Sequence, residues 1–259
     1  MKKYLLCAPL LFVLFVTVNI NRSSAEPAME ITVSAAISLK NAFEEIETIF
    51  EEKHPGTKVR LNFGASGDLA RQIEAGAPVD VFASAAQKDM DVVDQKGLIT
   101  SGTRMNFAGN SVVLVKPGVS RIWMESFEDL RKAEVKKVVI GNPKSVPAGR
   151  YAEEVLKYFR LWEAVQDKLV FAEHVRQALD YVARNEVDAA LVYSTDAMIR
   201  PKEVRIVMRA PDRSHQPILY PIGVVKGSKN QSLAKEFIAL VLSTERKNLL
   251  RKYGFKTVK

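Results

Sequence analysis

The chain has 259 residues, 47% of them hydrophobic, with 38 Lys and Arg against 30 Asp and Glu, a formal charge of +8 and one cysteine. A chain of this length can bury a large core, as one big domain or two smaller ones. The basic residues are interleaved with acids, as in Glu44-Glu45 and Glu51-Glu52-Lys53, and no basic stripe carries aromatics. That pattern excludes nucleic acid as a partner, and a lone cysteine excludes a disulfide framework.

The first predicted element is a targeting signal. Lys2 and Lys3 form a short basic start, Tyr4 to Ile20 carries no charge, and Ser23-Ser24-Ala25 supplies small residues for cleavage. This is the layout of a secretory signal peptide spanning residues 1–25. Cys7 stands at the start of the apolar run rather than after it, so it is no lipidation site. Cleavage removes Lys2, Lys3, Arg22 and Cys7 and leaves a modest positive balance that speeds the arrival of small anions.

Strands and helices then alternate. Ile31 to Val33 is a short strand, and a helix from Leu39 places Ala42, Phe43, Ile46 and Phe50 on one face before His54-Pro55-Gly56 ends it. Lys58 to Phe63 alternates as a strand. Ser66 to Ala75 is a helix closed by Gly76 and Pro78, Val79 to Ala83 a strand, and Gln87 to Lys96 a helix on whose wet face Asp89, Asp91 and Asp94 fall. The alternation resumes with strands at 112–115 and 137–140, a helix over 150–159, a strand near Leu169, a helix from Val175 to Arg184 and a strand over 189–192. Such a pattern predicts an α/β protein with a parallel, doubly wound sheet covered on both faces. Breaks at Gly109-Asn110-Ser111 and at Tyr220-Pro221 divide the chain into two lobes, the part from Ile222 returning to the first.

Four places share one construction, in which a strand or loop ends in small residues and a helix begins at once. They are Ala35-Ala36-Ile37-Ser38, Gly64-Ala65-Ser66-Gly67, Val146-Pro147-Ala148-Gly149 and Ala172-Glu173-His174-Val175. A helix N-terminus offers unpaired N–H groups and the positive end of its dipole, and small residues let an anion reach the backbone. In open α/β sheets such turns lie where ligands collect, beyond the C-terminal ends of the strands. Taken singly, Ser38 and Ser66 read as ordinary helix caps.

Segments along the chain add a further signal: AAISLKNAF (35–43), LARQIEAGAPVDVFASA (69–85), GNSVVLV (109–115), VPAGRYAEEVL (146–156), AEHVRQAL (172–179), LVYSTDA (191–197) and KYGF (252–255). On these, from Ile31 onward, the chain closely resembles the periplasmic molybdate-binding proteins of ABC transporters. The resemblance implies a two-lobed, venus-flytrap fold of the periplasmic binding proteins, each lobe a doubly wound mixed sheet flanked by helices. It assigns 26–110 and 221–259 to the first lobe and 111–220 to the second, with the ligand cleft between. It also implies a monomer of the periplasm, without cofactor or enzymatic activity, that takes up molybdate or tungstate and delivers it to a membrane permease.

Carried over position by position, the family's ligand residues fall on Ser38, Ser66, Ala148, Val175 and Tyr193. The serines would offer hydroxyl and backbone N–H, Ala148 and Val175 backbone N–H alone, and Tyr193 its phenol. None is a direct ligand of a metal cation. His174 stands where the family commonly has Asp or Asn, a better cap for the helix beginning at Val175, and is expected to face solvent. Arg176 is expected to pair with an acid and stabilise a lobe, since the family keeps cations out of the cage.

Other functions fit less well. Gly64-Ala65-Ser66-Gly67-Asp68 misses the nucleophile elbow of a serine hydrolase at its fifth residue. His54, His174 and His215 show no paired spacing, and no adjacent tyrosine pair or second cysteine suggests a transition-metal receptor. The nearest alternative is a sibling receptor specific for tungstate, sulfate or phosphate.

Overall fold

The computed structural model describes residues 29–258, so the signal segment at residues 1–25 lies outside it. Apolar β-branched runs form the central strands: Ile31 and Val33 in β1 (Met29–Ala36), Val138 to Ile140 in β6 (Val138–Gly141) and Leu191-Val192 in β8 (Ala189–Tyr193) are fully buried. Continuous burial of this kind requires cover on both faces of the sheet. Helices provide it through periodic apolar faces, such as Phe43, Ile46 and Phe50 of α1 (Lys40–Lys53).

The remaining elements of the first half are β2 (Thr57–Gly64), α2 (Ser66–Glu74), β3 (Val81–Ala83), α3 (Gln87–Gln95), β4 (Met105–Gly109) and β5 (Val112–Pro117). After them come α4 (Pro147–Tyr158), β7 (Leu169–Ala172), α5 (Val175–Ala183), α6 (Ser194–Met198), β9 (Val204–Arg209), β10 (Leu219–Val224), α7 (Gln231–Leu242) and α8 (Thr244–Lys252). No described helix is long and apolar enough to cross a membrane.

The strands form two five-stranded sheets, ordered β2-β1-β3-β10-β4 and β7-β6-β8-β5-β9. In each, the first three strands run parallel, and the last two continue in antiparallel pairing. The sheets are therefore mixed, where alternation alone predicts parallel ones. The reversed strands are β5 and β10, the first to enter each sheet after a crossing, whereas β4 and β9 run with the parallel set and pair with the reversed strand beside them. A strand arriving from the other lobe enters against the direction set by the local βαβ units. The first crossing runs through Asn110-Ser111. The second precedes Leu219, so Tyr220 and Pro221 lie inside β10, where the ladder to β4 shifts register between them. A proline, having no N–H to give, belongs at such an irregularity.

Each sheet carries its own packing. Phe43, Phe50 and Phe237 pack edge to face between α1 and α7, with Phe107 of β4 against Phe43. In the second lobe α4 lies so close to β6 that a Cβ on Gly149 would meet the Gly141 carbonyl oxygen at 1.9 Å. The contact is with backbone, so it cannot rotate away. Gly149→Ala is expected to lower stability by about 3 kcal/mol or more, the upper range for overpacking, read as a fall in the urea midpoint. A parent-like midpoint would contradict this helix–strand contact.

Candidate functional site

The parallel strands of both sheets end toward the space between the lobes, and each is followed by a residue that lines one small cavity. In the first lobe β1 leads to Ser38, β2 to Ser66 and β3 to Ala85; in the second β6 leads to Ala148, β7 to Val175, and β8 ends on Tyr193. The five residues predicted from sequence thus share one cavity. Ala85, after β3, lines the same cavity and was not singled out from sequence because no helix start or motif marks it; the signal was topological, since β3 is the one parallel strand left without a predicted residue. By volume the cavity measures about 10 Å³, on a scale where a single water needs roughly 10–15 Å³. In this arrangement of the lobes it is a compact site.

Backbone donors line it. Ser66 and Val175 are the first residues of α2 and α5, Ala148 the second of α4, and Ser38 the second of a single 3-10 turn (Ile37–Leu39). All four fall among the positions whose N–H has no acceptor within its own helix. Pro147 at the start of α4 has no N–H, which removes one donor from this crowded place. Neither serine acts as a cap: Ala36 and Ala65 occupy the cap positions, and no side-chain cap bond forms there.

The three side-chain hydroxyls are buried, with Ser38, Ser66 and Tyr193 at most 3% exposed. Ser66 Oγ accepts the Ala85 N–H at 2.9 Å, Ser38 Oγ lies 3.0 Å from Tyr220 Oη, and Tyr193 Oη donates to the Ala85 carbonyl at 3.4 Å. Burial pushes the Tyr193 phenol well above its ordinary range, which keeps it a neutral donor.

No charged side chain lines the cavity. Arg176 approaches it but is committed elsewhere: Nε donates to the buried Asp196 at 2.5 Å, Nη1 to Asn41 at 2.9 Å and Nη2 to the Ser38 carbonyl at 3.4 Å. It pairs with an acid, as the sequence reading holds, and also joins the second lobe to the first. Arg150 of α4 reaches across to Asp89 of α3. Asp89 is therefore not part of a wet helix face, whereas Asp91 and Asp94 are half-buried and pair with Arg104. Asp89 is buried, and burial pushes its carboxyl upward against the pull of Arg150. A third bridge is backbone to backbone, from the Gly67 N–H to the Ser145 carbonyl at 3.0 Å. A Cβ on Gly67 would lie 2.7 Å from that oxygen, so only glycine permits this approach. Among the described residues no group of His, Cys, Asp and Glu could hold a metal ion.

His174 does not simply face solvent. Its Nδ1 accepts the Gln177 N–H at 3.0 Å, and the Gln177 side chain accepts the Glu173 N–H at 2.6 Å. This reciprocal pair closes the start of α5 and fixes Val175. The ring must be neutral with its proton on Nε2, since Nδ1 uses its lone pair.

The model of the bacterial extracellular solute-binding protein family matches residues 31–256. A Bacillus subtilis protein, whose name describes a substrate-binding lipoprotein of an ABC transporter, is 40% identical over 258 residues, 98% of each chain. The molybdate-binding protein ModA of Escherichia coli is 40% identical over 231 residues, covering 87% of this chain and 88% of its own. Among solved structures, a substrate-binding domain from Clostridium difficile named for a molybdenum ABC transporter is 38% identical, with a TM-score of 0.69, 89% of this chain covered and 100% of that one.

Replacing His174 by Ala is expected to lower stability by about 1 kcal/mol, the usual worth of a cap, whereas His174→Asn should keep it. Urea denaturation of the two variants beside the parent checks this, and equal midpoints for all three would deny the cap any role.

Proposed function

The chain belongs to the family of bacterial extracellular solute-binding proteins, and from that premise we propose that it captures molybdate, or the near-equal tungstate, and delivers it to the membrane permease of an ABC importer. One observation carries the reading: helix N-termini and hydroxyls from both lobes converge on a compact cavity with no charged side chain. Such a cavity is complementary to a small anion that only accepts hydrogen bonds. The relatives whose names specify molybdate support the choice of anion. We assign Ser38, Ser66, Ala148, Val175 and Tyr193 to its oxygens, Tyr193 by turning its hydrogen from the long 3.4 Å contact with the Ala85 carbonyl to the anion. The protein is a receptor that needs no cofactor and performs no reaction.

Selection follows from rigid donors on two lobes. Molybdate and tungstate differ little in size, so the cage holds both. Sulfate is a smaller tetrahedron of the same charge, and donors fixed on both sides cannot all reach its oxygens at about 2.7–2.9 Å. Phosphate carries a proton near neutral pH, and a cage of donors has no acceptor for it.

In this reading residues 26–110 and 221–259 move against residues 111–220, closing on the ligand about the two crossings. The signal peptide at residues 1–25 directs a monomer to the periplasm.

Ser38→Ala, Ser66→Ala and Tyr193→Phe are each expected to weaken molybdate binding about ten- to hundredfold, the worth of a hydrogen bond to a charged group. Ala148→Gly keeps its backbone N–H and should change little. Calorimetry on folded variants checks this; hydroxyl deletions that bind like the parent would show the assigned residues to be wrong. Competition calorimetry at neutral pH tests the anion itself. Molybdate and tungstate should bind alike, and sulfate and phosphate weaker by several powers of ten, since each buried donor left unpaired costs roughly 1–3 kcal/mol. Equal affinity for sulfate would make the protein a general oxyanion receptor.

A further inference from the structure

A serine hydroxyl donates and accepts with equal ease, so serines alone do not make a cavity donor-only. What holds each hydroxyl's lone pairs decides. For Ser66 the partner is the Ala85 N–H, which can only donate, so the Ser66 hydrogen is free to turn to the cavity. For Ser38 the partner is Tyr220 Oη, and the contact by itself permits either direction.

The direction is decided one step further back, at Asn110. Its Oδ1 accepts the Ser111 backbone N–H at 2.8 Å, an obligate donor, which settles which end of the amide is oxygen. Ser194 Oγ, at 3.2 Å, meets the same oxygen. The Nδ2 end therefore faces Thr195 Oγ1 at 2.9 Å and Tyr220 Oη at 3.1 Å, and it can only donate. Having accepted from Asn110, Tyr220 gives its own hydrogen to Ser38, and Ser38 turns its hydrogen to the cavity. Ser38, Asn110 and Tyr220 are at most 3% exposed, so bulk water does not compete along this line. Burial also holds the Tyr220 phenol far above its ordinary range, so it keeps the hydrogen it passes on.

We propose that Tyr220 and Asn110 are specificity-determining residues that lock Ser38 as a donor and so exclude oxyanions carrying a proton. They do this without touching the ligand. The inference rests on the oxyanion reading above and adds the residues that enforce its protonation rule.

The test separates protonation from size. Selenate and arsenate are tetrahedra of similar size, but near neutral pH arsenate carries a proton and selenate none. Competition against molybdate at pH 7 should find the parent preferring selenate at least about tenfold, the worth of one unmatched buried hydrogen bond. Tyr220→Phe keeps the ring and frees the Ser38 hydroxyl to rotate. Molybdate binding should weaken about tenfold, and the preference for selenate over arsenate should collapse toward one. Asn110→Asp replaces the donor by an acceptor, reverses the Tyr220–Ser38 bond and should move the ratio further toward arsenate. Should that buried carboxylate prevent folding, Tyr220→Phe decides alone. An unchanged ratio in Tyr220→Phe, with both anions weakened in proportion, would reduce Tyr220 to a packing role and overturn the proposal. So would a parent that binds arsenate as well as selenate. A parent that binds no molybdate would sink the oxyanion reading instead.

Discussion

A backbone N–H at the start of a helix has no acceptor inside that helix, and burying it requires one from elsewhere. The protein brings several such groups, from α2, α4, α5 and the turn before α1, to a single cavity. Closing the lobes over them without an acceptor-rich occupant would leave each unpaired, at about 1–3 kcal/mol apiece. The occupant must therefore accept on all sides, which describes a fully deprotonated oxyanion. In the proposed function, ligand binding and lobe closure are one event for this reason.

Neutrality of the cavity is achieved by removing charges rather than by lacking them. Arg176 stands beside Ser38, but the buried carboxylate of Asp196 and the side chain of Asn41 take up its donors. Arg150 is held in the same way by Asp89. A buried ion pair adds little net stability, since desolvation offsets most of the attraction. Its value here is geometric: Arg150 and Arg176 sit on one lobe and reach the other, flanking the cavity with directional contacts. Gly67 against Ser145 adds a third, from backbone to backbone.

The matching strand orders of the two sheets explain why six positions converge. Three parallel strands in each lobe end at the cleft, and each delivers one residue. The antiparallel strands carry the chain across and lie beside the site, so Asn110 at the first crossing and Tyr220 in β10 can act on Ser38. Crossing and cavity are joined by hydrogen bonds, not merely adjacent.

The alternation of strands and helices and the four small-residue turns were legible in the sequence, and the resemblance carried by its motifs pointed to Ser38, Ser66, Ala148, Val175 and Tyr193, which line one cavity. These are local: periodicity, helix starts and short motifs depend on neighbours in the chain, and so they survive in one dimension. The fate of Asp89 was not legible, because its partner Arg150 lies in the other lobe, and a helix face is wet only if nothing packs on it. His174 looked a poor cap until the ring was seen turned back on Gln177, a choice of rotamer that residue type does not dictate. The mixed sheets followed from where the chain crosses between lobes. Hydroxyl polarity was hidden most deeply of all. Whether Ser38 donates or accepts depends on Tyr220, Asn110 and the Ser111 N–H, a line of partners drawn from β10 and the first crossing. Only tertiary structure brings those partners together, because a hydrogen bond has direction and the direction is set by contacts far apart in the chain.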